Sequence, residues 1–179
     1  MNPIAFDLEL LHKSKNESNW LEEAKQGILG ISVIALWDLN EERPFIYGAE
    51  RLEEAIEHMA YADPLVSYNG IDFDLPVIEG TLGYDLKEIP HYDIKKEIYD
   101  ALGTRHKGYK LNDVADRTIG KQKLYHGKDS YGLSPSEKYT YCLHDTMLTA
   151  ELYEFILEHG FIIDRDGNEL WVRAPEKST

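Results

Sequence analysis

Three short stretches of this chain place side chains where they could do chemistry. The first is Phe6-Asp7-Leu8-Glu9. Residues two apart on a strand point to the same face, so Asp7 and Glu9 would stand side by side. Adjacent like charges repel unless a cation neutralises them. Hard ions such as Mg2+ and Mn2+ prefer carboxylate oxygens and water. The plainer use of the same pattern is a solvated acidic face. The second stretch is Tyr68-Asn69-Gly70-Ile71-Asp72-Phe73-Asp74-Leu75-Pro76. It joins a strand end to a helix start, where parallel sheets place ligand sites. Asp74 could equally cap that helix, with Asp72 an ordinary loop acid. The third is Tyr141-Cys142-Leu143-His144-Asp145. Tyr141 and Asp145 are four apart and share one helical face, so a phenol and a carboxylate can address one spot. A tyrosine at that spacing is often a packed side chain. His144 lies on a different face and reads as a surface or packing residue.

The elements that must position these groups are visible in the apolar spacing. Ile4–Leu10 reads as a strand, and His12–Asn19 as a loop. The β-branched run Ile28–Trp37 suggests a buried strand, and Pro44–Tyr47 a short one after the Asn40-Glu41-Glu42 turn. Leu52–Ala62 carries apolar residues at helical spacing. Leu65–Asn69 is the next strand, and a helix begins near Asp74, with Pro76 in its first turn. His91–Ile94 reads as a fifth strand, followed by helices over Lys95–Leu102 and Leu111–Ile119. Ser134-Pro135-Ser136-Glu137 has the signature of a helix start, and that helix runs to about Glu158 before Gly160. Phe161–Val172, split by Asp166-Gly167, reads as a hairpin. Hairpin-linked strands first and crossover strands later predict a mixed sheet with helices on its faces. The 179 residues suit one domain, 1–179, with no repeat or linker.

Composition bounds the setting. With 42% hydrophobic and 11% aromatic residues, the chain is globular rather than disordered. The single cysteine, Cys142, forms no internal disulfide, and a reducing, intracellular (cytoplasmic) location is expected. No apolar run approaches the roughly 18 residues that suggest a membrane span. Met1-Asn2-Pro3 leads straight into a strand pattern, without the basic and apolar regions of a signal peptide. A net charge of −14 argues against holding nucleic acid by bulk charge. The stretch from Lys95 to Lys128 nevertheless has nine basic and four acidic residues. A local basic surface on an acidic body is compatible with guiding a phosphate backbone. It is also what ordinary solvated helices look like.

The three segments together resemble the three sequence motifs of the DEDD superfamily of 3′–5′ exonucleases. Phe6–Glu9 is similar to the first motif. Asn69–Pro76 is similar to the second, in the form found in the proofreading domains of family B DNA polymerases. Tyr141–Asp145 is similar to the third in its tyrosine variant, DEDDy. The histidine variant would place His five residues before Asp145, where Thr140 stands. The motifs stand in the family's order, and His91-Tyr92-Asp93-Ile94 before a helix adds a resemblance to stand-alone domains of this kind.

The resemblance implies an α/β, ribonuclease H-like fold: a mixed five-stranded sheet flanked by helices, here with a C-terminal β-hairpin. It implies two divalent cations, Mg2+ or Mn2+. Asp7 would bridge them, Glu9 and Asp145 would hold the ion that activates water, and Asp74 would support the second, partly through water. Tyr141 would orient the attacking water. The implied activity is hydrolysis from the 3′ end of single-stranded DNA, releasing nucleoside 5′-monophosphates, as in DNA repair or proofreading. An exoribonuclease and a non-catalytic nucleic-acid-binding module are the alternatives. Leu8, through its backbone, Asn69 and Phe73 are expected at the terminal nucleotide. Lys107 and Lys110 are expected on the strand. They belong to a series, with Tyr109, Lys121, Lys123, Tyr125, Lys128 and Tyr131, that interleaves cations with aromatics as single-strand binders do.

Overall fold

Alternation along the first strand decides the layout. The structure, a computed structural model, describes residues 1–15, 17–124 and 132–175. Strand β1 (Ile4–Leu10) lies in the middle of a five-stranded sheet. Its neighbours are β2 (Ile31–Asp38) and then β3 (Arg43–Gly48) on one side, both pairing antiparallel. On the other side β4 (Leu65–Ser67) pairs parallel to it, and β5 (His91–Asp93) pairs parallel to β4. The order is β3-β2-β1-β4-β5, the expected mixed sheet.

Helices cover both faces. Ile4, Phe6, Leu8 and Leu10 enter one apolar cluster with side chains of α1 (Trp20–Lys25), α2 (Leu52–Met59) and α3 (Asp74–Leu82). Ala5 enters the opposite cluster, with α4 (Ile94–Leu102), α5 (Leu111–Ile119) and α6 (Pro135–His159). Asp7 and Glu9 alternate with the first set, so they belong to the α6 face. Burying a large apolar side chain stabilises a fold by about 1.5–3 kcal/mol. A slip of one residue would put two carboxylates into that apolar layer, so the register is strongly specified. A register shift between Glu9 and Leu10 ends the regular pairing just beyond the two acids.

Helix α6 starts at a capping box, in which Ser134 and Glu137 satisfy each other's backbone groups, and ends at Gly160. Small residues let it lie close over the sheet. Cys142 packs on Val33 and Ala35, and its Sγ is 3.3 Å from the Asp7 carbonyl oxygen, to which it donates. A two-stranded hairpin, β6 (Phe161–Ile163) and β7 (Glu169–Trp171), closes the chain as expected.

Several boundaries differ from expectation. Strand β2 starts at Ile31 rather than Ile28, because Gly30 turns the chain with φ +58°. Strand β4 stops at Ser67, because Asn69 takes φ +74°. Helix α2 stops at Met59 rather than Ala62. Helix α1, with the 3-10 turn Glu17–Asn19 before it, falls partly inside the expected loop and has no counterpart in the sequence reading. Six residues are too few to show helical periodicity or to be stable alone. Tertiary contact holds α1 in place: Trp20 packs on Phe73 with ring centroids 4.9 Å apart.

Its backbone also meets α3 at Gly80. A Cβ on Gly80 would lie 1.9 Å from the Ala24 carbonyl oxygen, and one on Gly27 would lie 2.6 Å from that of Gly80. Alanine at an ordinary helix position stabilises relative to glycine. Here Gly80→Ala is expected to destabilise the chain by about 1–3 kcal/mol through overpacking. Urea unfolding followed by circular dichroism checks the sign, and a gain in stability would contradict the α1–α3 contact.

Candidate active site

The parallel strands β1, β4 and β5 end on the same edge of the sheet, and the site is built there. Asp7 and Glu9 come from the end of β1. The loop after β4 carries Asn69, Phe73 and Asp74. Tyr141 and Asp145 come from one face of α6. These residues, with Leu8, line one cavity of about 220 Å3. Leu10, Tyr68 and Lys123 complete its wall. Asp74 and Asp145 are buried, while Asp7 and Glu9 are half-buried.

A single acid shapes the loop that carries Asp74. Asp93, at the end of β5, is buried. Its carboxylate caps α4, accepting from the Lys95 and Lys96 amides at 3.0 and 3.2 Å. The same carboxylate accepts from the Asn69 amide at 2.9 Å and the Ile71 amide at 3.0 Å. Four backbone donors on one carboxylate fix the turn and hold Asn69 in its left-handed conformation, which asparagine tolerates better than most residues. Gly70 is needed in the same turn, since a Cβ would come within 2.6 Å of the Ser67 side chain. Helix α3 then begins with Phe73 at its cap position. The alternative reading of Asp74 as the cap is therefore set aside, and its carboxylate is left for the cavity, where the Leu8 amide also donates to it. The capping pattern Asp93-Ile94-Lys95-Lys96 was the sequence signal for the role of Asp93.

The electrostatics show a local excess of negative charge. Burial pushes the Asp7 carboxyl well above the usual carboxylate range, and Asp74, Asp145 and Glu9 add to the shift. Burial, then Asp93 and Glu9, raise Asp74 to about 8. Asp145 is raised by burial, against the pull of Lys123 and a hydrogen bond from Tyr141. The Lys123 ammonium bonds the Asp145 Oδ2 and lies 3.3 Å from the Tyr141 hydroxyl. Asp145 Oδ1 is buried with no hydrogen-bond partner among the described residues. Four carboxylates, one with a bare buried oxygen, make a donor set that suits a hard divalent ion. Among the described residues, however, no three acid, histidine or cysteine side chains are gathered tightly enough to form a ready cage.

Two expected substrate residues lie elsewhere. Lys107 and Lys110 are exposed and stand outside the cavity wall, because the chain between α4 and α5 runs along the outer surface. Lys110 stands close enough to Lys95 for its charge, after burial and alongside that of Arg105, to help depress the Lys95 pKa. Lys95 and Arg105 line a second hollow of about 200 Å3, which shares Asn69 with the first. Tyr125, Lys128 and Tyr131 lie outside the described residues. His144 is half-buried on α6. Trp20 and Trp37 are partly buried, and Trp171 is exposed on β7.

Comparison with known proteins follows the same lines. The model of the ribonuclease H superfamily matches residues 17–133. That stretch includes Asp74 and Asp93 and leaves out Asp7, Glu9, Tyr141 and Asp145. Among solved structures, the family B DNA polymerase of the hyperthermophilic archaeon Pyrobaculum calidifontis is similar with a TM-score of 0.63 at 16% identity. The match covers 87% of this chain and 24% of the polymerase, so the chain spans about a quarter of that protein. It is a likeness of fold, and the fold is the ribonuclease H-like one expected. No curated protein matches the chain.

A raised carboxyl pKa stabilises the fold at low pH and loses that contribution as pH rises. For Asp74 the contribution is complete below the unfolded value of 3.8 and is lost as pH climbs through about 8. Asp74→Asn should therefore gain stability relative to the parent between pH 5 and pH 8 in EDTA. Melting temperatures across that range check this, and a constant difference between the two proteins would contradict it.

Proposed function

The chain belongs to the ribonuclease H superfamily, and on that basis we propose that it is a two-metal 3′–5′ exonuclease of the DEDDy type acting on single-stranded DNA. The observation that carries the reading is the convergence of Asp7, Glu9, Asp74, Asp145 and Tyr141, from three distant segments, on one cavity. Mg2+ or Mn2+ would be held by Asp7 between two seats, by Glu9 and Asp145 at one and by Asp74 at the other. Such a pair, when bound, lowers the pKa of a coordinated water and offsets charge on a departing 3′ oxygen.

The chain's own residues have the remaining tasks. The Tyr141 hydroxyl stands beside Asp145 and is placed to orient the attacking water. Asn69 and Phe73 stand in the cavity wall beside Asp74, where the terminal nucleotide would sit. Phe73 is backed by Trp20, which gives the base a firm apolar surface. The Leu8 backbone runs between the two β1 acids and can meet the terminal sugar. The second hollow continues from Asn69 toward Lys95 and Arg105, and its cations offer a path for the preceding phosphates. The polymerase-like form of the second motif supports DNA over RNA.

Purified protein with Mg2+ or Mn2+ is expected to shorten a 5′-labelled single strand stepwise from its 3′ end. Asp7→Ala and Asp145→Ala should each abolish this. Tyr141→Phe should slow it by about a hundredfold, the scale of a misplaced reactant. Parallel digestion of DNA and RNA reads the substrate class. Internal cutting of a 3′-blocked strand at an undiminished rate would remove the exonuclease assignment.

A further inference from the structure

Among the described residues, Lys123 is the one cation that reaches into the cavity. Its placement is built from three consecutive anchors. The Lys121 ammonium bonds the Glu151 carboxylate on α6 at 2.7 Å. The Gln122 side-chain amide donates to Asp116 on α5 at 3.0 Å. The Lys123 backbone amide donates to the Asn112 side chain on α5 at 2.8 Å. With its backbone pinned on both helices, the Lys123 side chain turns inward and is only 20% exposed. Its ammonium pairs with Asp145 and lies over the Tyr141 ring, 5.3 Å from the centroid. Burial alone would lower the Lys123 pKa, but the attraction of Asp145 and Asp7 outweighs it and raises it.

The two sides of the cavity are thus compensated unequally. Asp145, on the α6 side, already has a cation. Asp74, on the α3 side, accepts from backbone donors and is repelled by Asp93 and Glu9. The Lys123 charge also reaches Asp7, but less strongly than it reaches Asp145, which it touches. An ion that draws on Asp145 meets an ammonium already fixed on its Oδ2, with Oδ1 alone left bare.

We propose that Lys123 is a tethered counter-ion occupying one of the two cation seats, so that the second divalent ion loads only when Lys123 leaves Asp145. This rests on the two-metal nuclease reading, and it makes Lys123 a positioning residue that regulates how the site fills. A purely structural lysine would, on removal, leave ion uptake unchanged or weaken it. A tethered counter-ion predicts the opposite sign.

The test is Mn2+ titration followed by electron paramagnetic resonance of the free ion, without nucleic acid. The proteins are the parent, Lys123→Met, Lys123→Gln and Asp7→Asn, each checked for folding by circular dichroism. The parent should bind one ion tightly and a second at least tenfold more weakly. Both Lys123 variants should bind the second ion at least tenfold more tightly than the parent, and Asp7→Asn should lose the tight ion. If the Asp7 dependence holds but folded Lys123→Met and Lys123→Gln take up Mn2+ as the parent does, or more weakly, the counter-ion proposal alone is overturned. If the parent takes up no Mn2+, or Asp7→Asn is unchanged, the nuclease reading falls and this proposal falls with it. If one Lys123 variant fails to fold, the other decides.

Discussion

Repulsion among Asp7, Glu9, Asp74 and Asp145 is the interaction around which the rest of the structure is arranged. At an effective dielectric constant of about 20, two unit charges about 4 Å apart repel by about 4 kcal/mol. Net stabilities of domains are only about 5–15 kcal/mol. Gathering several carboxylates at one sheet edge therefore needs support from everything nearby. The apolar side of β1 supplies part of it, because Ile4, Phe6, Leu8 and Leu10 lock the register that brings both β1 acids to one face. Helix α6 supplies another part, packed on Val33 and Ala35 through the small side chain of Cys142. Lys123 supplies the only positive charge in the cavity wall among the described residues.

The strand acids were legible because alternation is a short-range property. Whether Asp7 and Glu9 share a face follows from β geometry alone, and the same holds for Tyr141 and Asp145 on a helix. The sheet was legible too, since long β-branched runs and a hairpin-then-crossover order leave few topologies. What local pattern could not show is which separated groups meet. Asp93 looks like one more acid at a helix start. Its second task, holding the Asn69 and Ile71 amides, depends on β4 and β5 being neighbours, which only the assembled sheet decides. Lys123 sits in a run of alternating lysines and tyrosines, where nothing in the spacing separates a side chain that turns inward from those that stay in solvent. Lys107 and Lys110 carried the same signal and ended outside.

Helix α1 shows the same limit from the side of packing. A six-residue helix has too little length to declare itself, and its partner's clue, Gly80 in the middle of α3, reads in isolation as a weak point. The coordinates reverse that reading. Gly80 is where two backbones touch, and the contact carries α1 into position behind Phe73. A residue that lowers helix propensity by about 1 kcal/mol is thereby tied to the shape of the cavity, through α1, Trp20 and the aromatic wall.

Charge arrangement then sets how a polyanion could approach so acidic a chain. The long-range field of a body at net −14 opposes nucleic acid, but it is screened beyond a Debye length of about 8 Å at physiological ionic strength. Inside that distance only nearby charges matter. Next to the acidic cavity stand Lys95, Arg105 and Lys110; burial lowers the Lys95 pKa, and the charges of Arg105 and Lys110 add to the shift. Arg105 is paired with Asp72 across an exposed salt bridge, the kind worth little in water and easily exchanged for a phosphate. The molecule therefore separates its tasks by position. Acids at the strand ends repel a phosphate that arrives without cations, while the cations of the adjoining hollow can hold the phosphates that precede it. Under the exonuclease function proposed above, such a division would favour a chain end that reaches into the cavity over a duplex laid across it, since only the last phosphate would have to sit among the carboxylates.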